Sequence, residues 1–500
     1  MGLVQKDAFR TMIISYVGIV LGYLNKGLLF LIILETEEIG LLSLILSIGL
    51  LFAQLSNLGT ATTTWKFFPF FKNEGKRHHG FLPLMLIIAG IGAVFYSSIY
   101  LLFKESIESM YLEQSSLFIP YYYWVLPIGI SVVLYKLLDG YLKSLYKNVV
   151  SVFAQDIMLR GALTVFLLLK WFNFIDFDTF VAAHSLIYIV PPLILIFYLW
   201  YLGELNLSVS SIKISKRFRR ILIQFTSFSY MNTLGQVLVN SLDIIMIAQF
   251  IGLEATGVYA IVVFMASALD VPYRSIIRVS SPLIAEYWRH RQLEKIKELY
   301  VKVSGVSLFI GLTLFLVIWL NIDLIFSFFK PEFKEGVWVF FFLMIGRLID
   351  MFSGLNGSIF VTSKKYKYEV VFTVFLIIAV FSLNLLFIPW WGIAGAAIST
   401  AVSMIFYNIG RLVFVWKIYK IHPFKARHFI IIGLAILTFF VGTLVGNLIA
   451  HPWIQFAAEI GVGTVLFILP VFLFKLEPEI INYTNKGLDF VKIKVGRKTN

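Results

Sequence analysis

Fourteen stretches of about twenty mostly apolar residues recur along this chain of 500 residues, and they leave it few folds to choose from. They run over 13–33, 39–58, 82–102, 118–138, 149–169, 179–202, 221–249, 257–279, 303–328, 337–362, 367–388, 393–416, 428–449 and 454–475. Each is long enough to cross a hydrocarbon core of roughly 30 Å as a helix. In lipid every backbone polar group must be satisfied within the protein, so only helices and closed barrels span a membrane, and unbroken apolar runs of this length specify helices. The expected fold class is an all-α polytopic membrane protein. The first run has no small-residue cleavage site behind it and reads as a retained span.

Shifted by 217 residues, the chain lies on itself without a gap from residue 18 to residue 147. Gly18 meets Gly235, Glu37 meets Glu254, Gly40 meets Gly257, and Ile128-Gly129 meets Ile345-Gly346. Gly140 and Lys147 then meet Gly357 and Lys364. One register held across four apolar runs marks a duplicated block of helices. That plan is common among secondary transporters, with the site between the halves near the bilayer midplane. Six spans per copy make the repeat parallel. The expected domains are an N-terminal lobe 1–202, a linker 203–220, a C-terminal lobe 221–418, an extra pair of spans within 428–475 and a tail 476–500. The amphipathic segment 283–302 is expected along the membrane interface as a continuation of the eighth span.

The formal charge of +14 is a topology signal. Outside the spans, Lys and Arg fall in alternate connections that include both termini, and only Lys104, Lys170, Lys330 and Lys334 fall in the opposite set. This positive-inside pattern places both termini in the cytoplasm, and no nucleic-acid partner is needed to explain the charge. With no cysteine, disulfides, thiolate chemistry and Cys-based metal sites are excluded. No connection is long enough for a soluble catalytic domain. The outer connections are short and the seven histidines scattered, which fits a membrane-embedded glycosyltransferase or polymerase poorly. No enzyme activity, cofactor or metal is expected.

Polar residues inside the spans fall on stripes. Asn232, Gln236, Asn240 and Asp243, spaced 4, 4 and 3, share one face of span 7. Ser267, Asp270, Arg274, Arg278 and Ser281 form a stripe on span 8 and its extension. Ser43, Ser47, Gln54 and Asn57 do so on span 2, and Gly18, Gly22 and Lys26 on span 1. Such stripes pack against one another or line a water-filled cavity. The offset pairs Lys26 with Asp243 and Asn57 with Arg274, so the four striped helices are related by the repeat. A cavity between the lobes would use Lys26, Asn57, Arg274, Arg278, Asn240 and Gln236 as substrate contacts, with Asp243 and Asp270 as candidates for ion coupling or gating. Cations at mid-depth suit an anionic ligand that must be bound and released. Local readings compete with this one. Lys26 lies about seven residues from the end of its span, within snorkelling reach of the interface. Arg278 is close to the cytoplasmic boundary. Asp270 and Arg274 stand at i, i+4 and can pair with each other. Asp156 and Arg160 in span 5, and Arg347 and Asp350 in span 10, read as self-neutralised structural pairs.

The run LETEEIGLLSLILSIGLLFAQLSNLG resembles a signature of polysaccharide-biosynthesis flippases. Its repeat, SLDIIMIAQFIGLEATGVYAIVVFM, is similar to a second signature of that family, with Asp243, Gly257 and Tyr259 at the matching positions. The resemblance spans essentially the whole chain. Its loose motifs specify the MOP superfamily, with its multidrug (MATE), O-antigen-type and lipid II transporters, better than they specify a substrate. The resemblance implies a V-shaped pair of lobes that alternates between inward-open and outward-open states. It also implies a cationic cavity in which Lys26, Arg274 and Arg278 hold the pyrophosphate of an undecaprenyl-linked sugar, and a lipid-tail groove beside spans 13 and 14. The loop GTATTTWKFFPFF departs from the basic cavity entrance expected there.

The function so read is the flipping of an undecaprenyl-pyrophosphate-linked oligosaccharide, a surface-polysaccharide or O-antigen unit, across the bacterial inner membrane by alternating access. The alternatives are a lipid II flippase and a cation-coupled multidrug exporter with Asp243 as its coupling carboxylate. Expected partners are the lipid-linked oligosaccharide, membrane lipids, and the glycan polymerase and glycosyltransferases of the same pathway.

Overall fold

A computed structural model describes residues 2–73, 78–208 and 216–481. Among these residues every regular element is helical, and thirteen helices are long and apolar enough to cross a membrane. They are α1 Phe9–Ile33, α2 Thr36–Ser56, α3 Phe81–Leu102, α4 Ser116–Ser144, α5 Val149–Trp171, α6 Phe177–Tyr201, α7 Lys216–Phe250, α8 Leu253–Arg289, α9 Leu293–Leu320, α10 Pro331–Ser353, α11 Tyr368–Tyr419, α12 Ala426–Asn447 and α13 Pro452–Leu473. The count is thirteen because α11 carries both span 11 and span 12. A straight helix of its 52 residues would run about 78 Å, more than twice the bilayer core. It does not run straight. Gly392 takes φ 58° and ψ −138°, a conformation reserved for glycine. A Cβ on Gly395 would collide with the carbonyl of Phe387, eight positions back, so the chain folds on itself there and crosses twice. The protein is a multi-pass membrane protein.

The chain divides into two compact units, Met1–Phe264 with Val380–Ala396, and Met265–Ala379 with Ala397–Asn500. This division does not coincide with the 203–220 connection at which the repeat sets the lobe boundary. Residues 209–215 of that connection lie outside the described residues, and 216–220 already belong to α7. The packing explains why α7 belongs to the first unit. Gln54 donates to the Thr233 hydroxyl at 2.8 Å, and Tyr230 donates to the Leu55 carbonyl at 3.1 Å. The Thr63 and Thr226 hydroxyls meet at 2.6 Å, and Phe225 and Phe218 set their edges against Phe67. Below them Phe68, Phe81, Leu137, Leu138 and Tyr141 form a buried core.

In the second unit, Ile284, Ile296, Tyr300, Leu355 and Phe360 form a core. This corrects the expectation for 283–302. That segment is not one interfacial helix: α8 ends at Arg289, the chain turns with Arg291 at φ 57°, and α9 starts at Leu293. Its apolar face, with Ile296 and Tyr300 fully buried, covers protein rather than lipid. Most of the expected tail lies outside the described residues, but 476–481 do not, and Glu477 among them is buried.

Candidate functional site

In the first unit, α1 leaves the α-helical register for one π turn at Asn25–Leu29, and α5 does so at Ala154–Leu159. A π turn disturbs the i→i−4 ladder and leaves backbone groups for side chains to satisfy. Asn25 donates to the Arg160 carbonyl at 2.8 Å and accepts the Thr164 hydroxyl at 2.7 Å. Asp156 pairs with Arg160 at 3.4 Å and accepts from Ser15 at 3.2 Å, while Arg160 also donates to the Gly18 carbonyl. The expected Asp156–Arg160 pair is therefore formed, and it fastens α5 to α1. Lys26 sits in the α1 π turn. It forms no ion pair among the described residues, and its ammonium stands 5.9 Å from the Phe264 ring.

The α7 stripe comes apart. Gln236 and Asn240 are exposed, with Asn240 donating to the Gln236 carbonyl at 2.8 Å. Asp243 is buried and accepts from Tyr259 at 2.5 Å and from Asn384 at 2.7 Å. Asn57 is buried as well. Its side-chain oxygen accepts from the Thr60 hydroxyl at 2.5 Å and from the Ala61 N–H at 3.1 Å, so it serves the turn into the short helix Thr60–Phe67. Sequence reasoning passed over two residues here. Asn384 is an isolated amide in an apolar run, and Lys136 donates from α4 to Gln54 at 3.2 Å. The signal in both cases was a polar side chain at membrane depth.

In the second unit, Asp270 accepts from Arg274 at 3.3 Å and from Arg347 of α10. The expected Asp270–Arg274 pair is present. The expected Arg347–Asp350 pair is not: α8 offers Arg347 the carboxylate of Asp270, and Asp350 takes a hydrogen bond from Asn408 of α11 instead. Arg274 is 75% exposed, and Arg278 is exposed without an ion pair among the described residues. A buried pair escaped the sequence reading. Glu369 and Arg411, both on α11, meet at 3.0 Å, Tyr407 donates to Glu369 at 3.1 Å, and Gly357 leaves room for the guanidinium. Each lies near the end of its span, where a charge looks like an ordinary interface residue.

No protein-family model matches this chain, and no curated protein matches it. Solved structures do. The lipid II flippase MurJ, in an inward closed conformation, aligns with a TM-score of 0.72 at 12% identity, over 94% of this chain and 98% of that one. An inward-facing multidrug resistance MATE family transporter of the MOP superfamily aligns with a TM-score of 0.64 at 14% identity, over 80% and 94%. A MOP superfamily transporter from Pyrococcus furiosus aligns at 0.52 and 13% identity, over 83% and 96%. Likeness at such identity is likeness of fold. The chain has the all-helical transporter fold that the MATE exporters and the lipid II flippase share within the MOP superfamily.

Proposed function

We propose that the protein flips an undecaprenyl-pyrophosphate-linked oligosaccharide, a surface-polysaccharide or O-antigen unit, across the bacterial inner membrane by alternating access, with both termini cytoplasmic. The extent of the fold match carries this reading. Residues 1–425 make up 85% of the 500, so a 94% match to a lipid II flippase must run into the α12–α13 pair, whereas the MATE match spans 80%. A pyrophosphate headgroup sheds hydration that fixed cations and donors must offset. Lys26 has no carboxylate partner among the described residues, and Arg274 and Arg278 hold out exposed guanidinium groups. These three take the phosphates, and the exposed amides of Gln236 and Asn240 take sugar hydroxyls. Asp270, shared by Arg274 and Arg347, competes with the headgroup for Arg274 and so gates its binding. Asp243, held between Tyr259 and Asn384, is the coupling group. Polymerase and glycosyltransferase partners belong to the same reading.

The test is glycan display in a strain that depends on this protein, with Lys26→Ala and Arg274→Ala at normal expression. Both variants are expected to lose display. If both keep it in full, the cationic mechanism is wrong. The lipid II flippase match favours one second reading, lipid II itself as cargo. Rescue of a strain depleted of its lipid II flippase would select that reading. Multidrug export, the remaining alternative, requires altered drug susceptibility on deletion.

A further inference from the structure

Beyond α13 the described residues do not run off into solvent. The chain turns at Lys475, at φ 50°, and drives Glu477 into a fully buried position against α9 and α12. The carboxylate faces the Arg427 guanidinium at 3.5 Å and the His428 ring at 3.9 Å. Lys425 and Lys302 add positive charge, and Glu479 holds Lys302 at 2.8 Å. Gly305 of α9 makes the room, because a Cβ there would collide with the carboxylate and the imidazole.

The fit is nonetheless incomplete. Among the described residues, neither carboxylate oxygen, nor Nε of Arg427, nor either ring nitrogen of His428 has a hydrogen-bond partner, although all are buried. Buried polar atoms are nearly always satisfied. Unused nitrogens on Arg427 and His428 around one small carboxylate describe a socket shaped for a ligand with more acceptor oxygens. The first turn of α12 adds to it, since backbone N–H groups at the start of a 22-residue helix favour an anion. The socket lies where α12 begins and α13 ends, at the level of lipid headgroups. Beside it Phe429, Ile430 and Leu473 are exposed, as side chains facing acyl chains are.

We propose that Lys425, Arg427, His428 and the start of α12 form a binding site for the phosphate of an anionic phospholipid, with Glu477 as a built-in competitor that fills it when no lipid does. The site does not depend on which cargo the transporter carries.

The full chain in nanodiscs of mixed phosphatidylglycerol and phosphatidylcholine tests this, with retained lipid read by native mass spectrometry. Glu477→Ala removes the competing side chain and should raise phosphatidylglycerol retention, while Arg427→Ala should lower it. The two variants should differ by roughly tenfold, the ratio one charge-assisted hydrogen bond supplies. If Arg427→Ala does not fold, Lys425→Ala, at an exposed position, carries the same expectation. A purely structural clasp would shift retention the same way in both variants or not at all, and either result overturns the proposal. A second arm uses phosphatidylcholine nanodiscs with inorganic phosphate. Release of 474–481 by phosphate alone, read by hydrogen exchange, would assign the socket to soluble phosphate and overturn the lipid.

Discussion

Burial pushes the Glu477 carboxyl up to about 7 from an ordinary 4.5; Arg427, Lys425 and Lys302 pull it down, and Glu479 pushes it up again. The sign of the pH dependence follows. Between pH 4.5 and about 7 the docked segment holds a proton that the released segment has given up, so docking weakens as pH climbs through that window and recovers nothing above it. Amide exchange across 474–481, normalised for its intrinsic pH dependence, should therefore show less protection at pH 8 than at pH 5.5. Glu477→Gln should flatten the profile. Equal protection at both pH values in the unaltered protein would show that the carboxyl does not govern docking. Removing either partner of the buried Glu369–Arg411 pair, whose charges meet at 3.0 Å, would strand the other in the interior.

Gly40 and Gly257 occupy the same position in the two copies of the repeat, and the fold lays one on the other. A Cβ on Gly40 would strike the Leu253 carbonyl, and one on Gly257 would strike the Thr36 carbonyl. Thr36 and Leu253 are themselves related by the 217-residue offset, so the contact is reciprocal, as it must be at a two-fold axis. Neither obstacle is a flexible side chain. Gly40→Ala must push α2 and α8 apart at a cost of about 1–3 kcal/mol, visible as a lower melting temperature in detergent. Adding Gly257→Ala should cost less than the sum of the singles, because the helices are already separated. A Gly40→Ala protein that melts with the parent would refute this contact. The offset was readable in the sequence, but a repeat names equivalent positions without saying which lie on the axis. The same limit applied to the charges. Helical spacing grouped Asn232, Gln236, Asn240 and Asp243 on one face, but Gln236 and Asn240 are exposed while Asp243 is buried. It could not foresee that Tyr259 and Asn384 would cover only Asp243. Spacing likewise offered Asp350 to Arg347, and a neighbouring helix supplied Asp270 instead. Local rules rank partners along one helix, and tertiary packing decides between helices.

Over the whole molecule, duplication and charge tell different stories. The apolar runs and their register gave the multi-pass fold almost entirely, because lipid permits so few alternatives. The repeat-related pair Lys26 and Asp243 has diverged into opposite roles: a cation with no ion pair among the described residues, and an acid buried under two donors. The proposed function requires substrate-facing polar groups to stay in water, and the chain is unusually easy to test on this point because it has no cysteine. A thiol reacts as the thiolate, which forms in water and not in hydrocarbon. Asn240→Cys and Arg278→Cys replace exposed polar residues, whereas Phe95→Cys and Ile436→Cys replace exposed apolar residues of α3 and α12. With a membrane-impermeant maleimide on intact cells and on inverted vesicles, the first two should label roughly tenfold faster than the last two from at least one side. Under the proposed function, addition of a lipid-linked oligosaccharide should slow them and leave the apolar pair unchanged. If Asn240→Cys and Arg278→Cys react as slowly as Phe95→Cys from both sides, these faces meet lipid or protein, and no aqueous path for a charged headgroup runs along them.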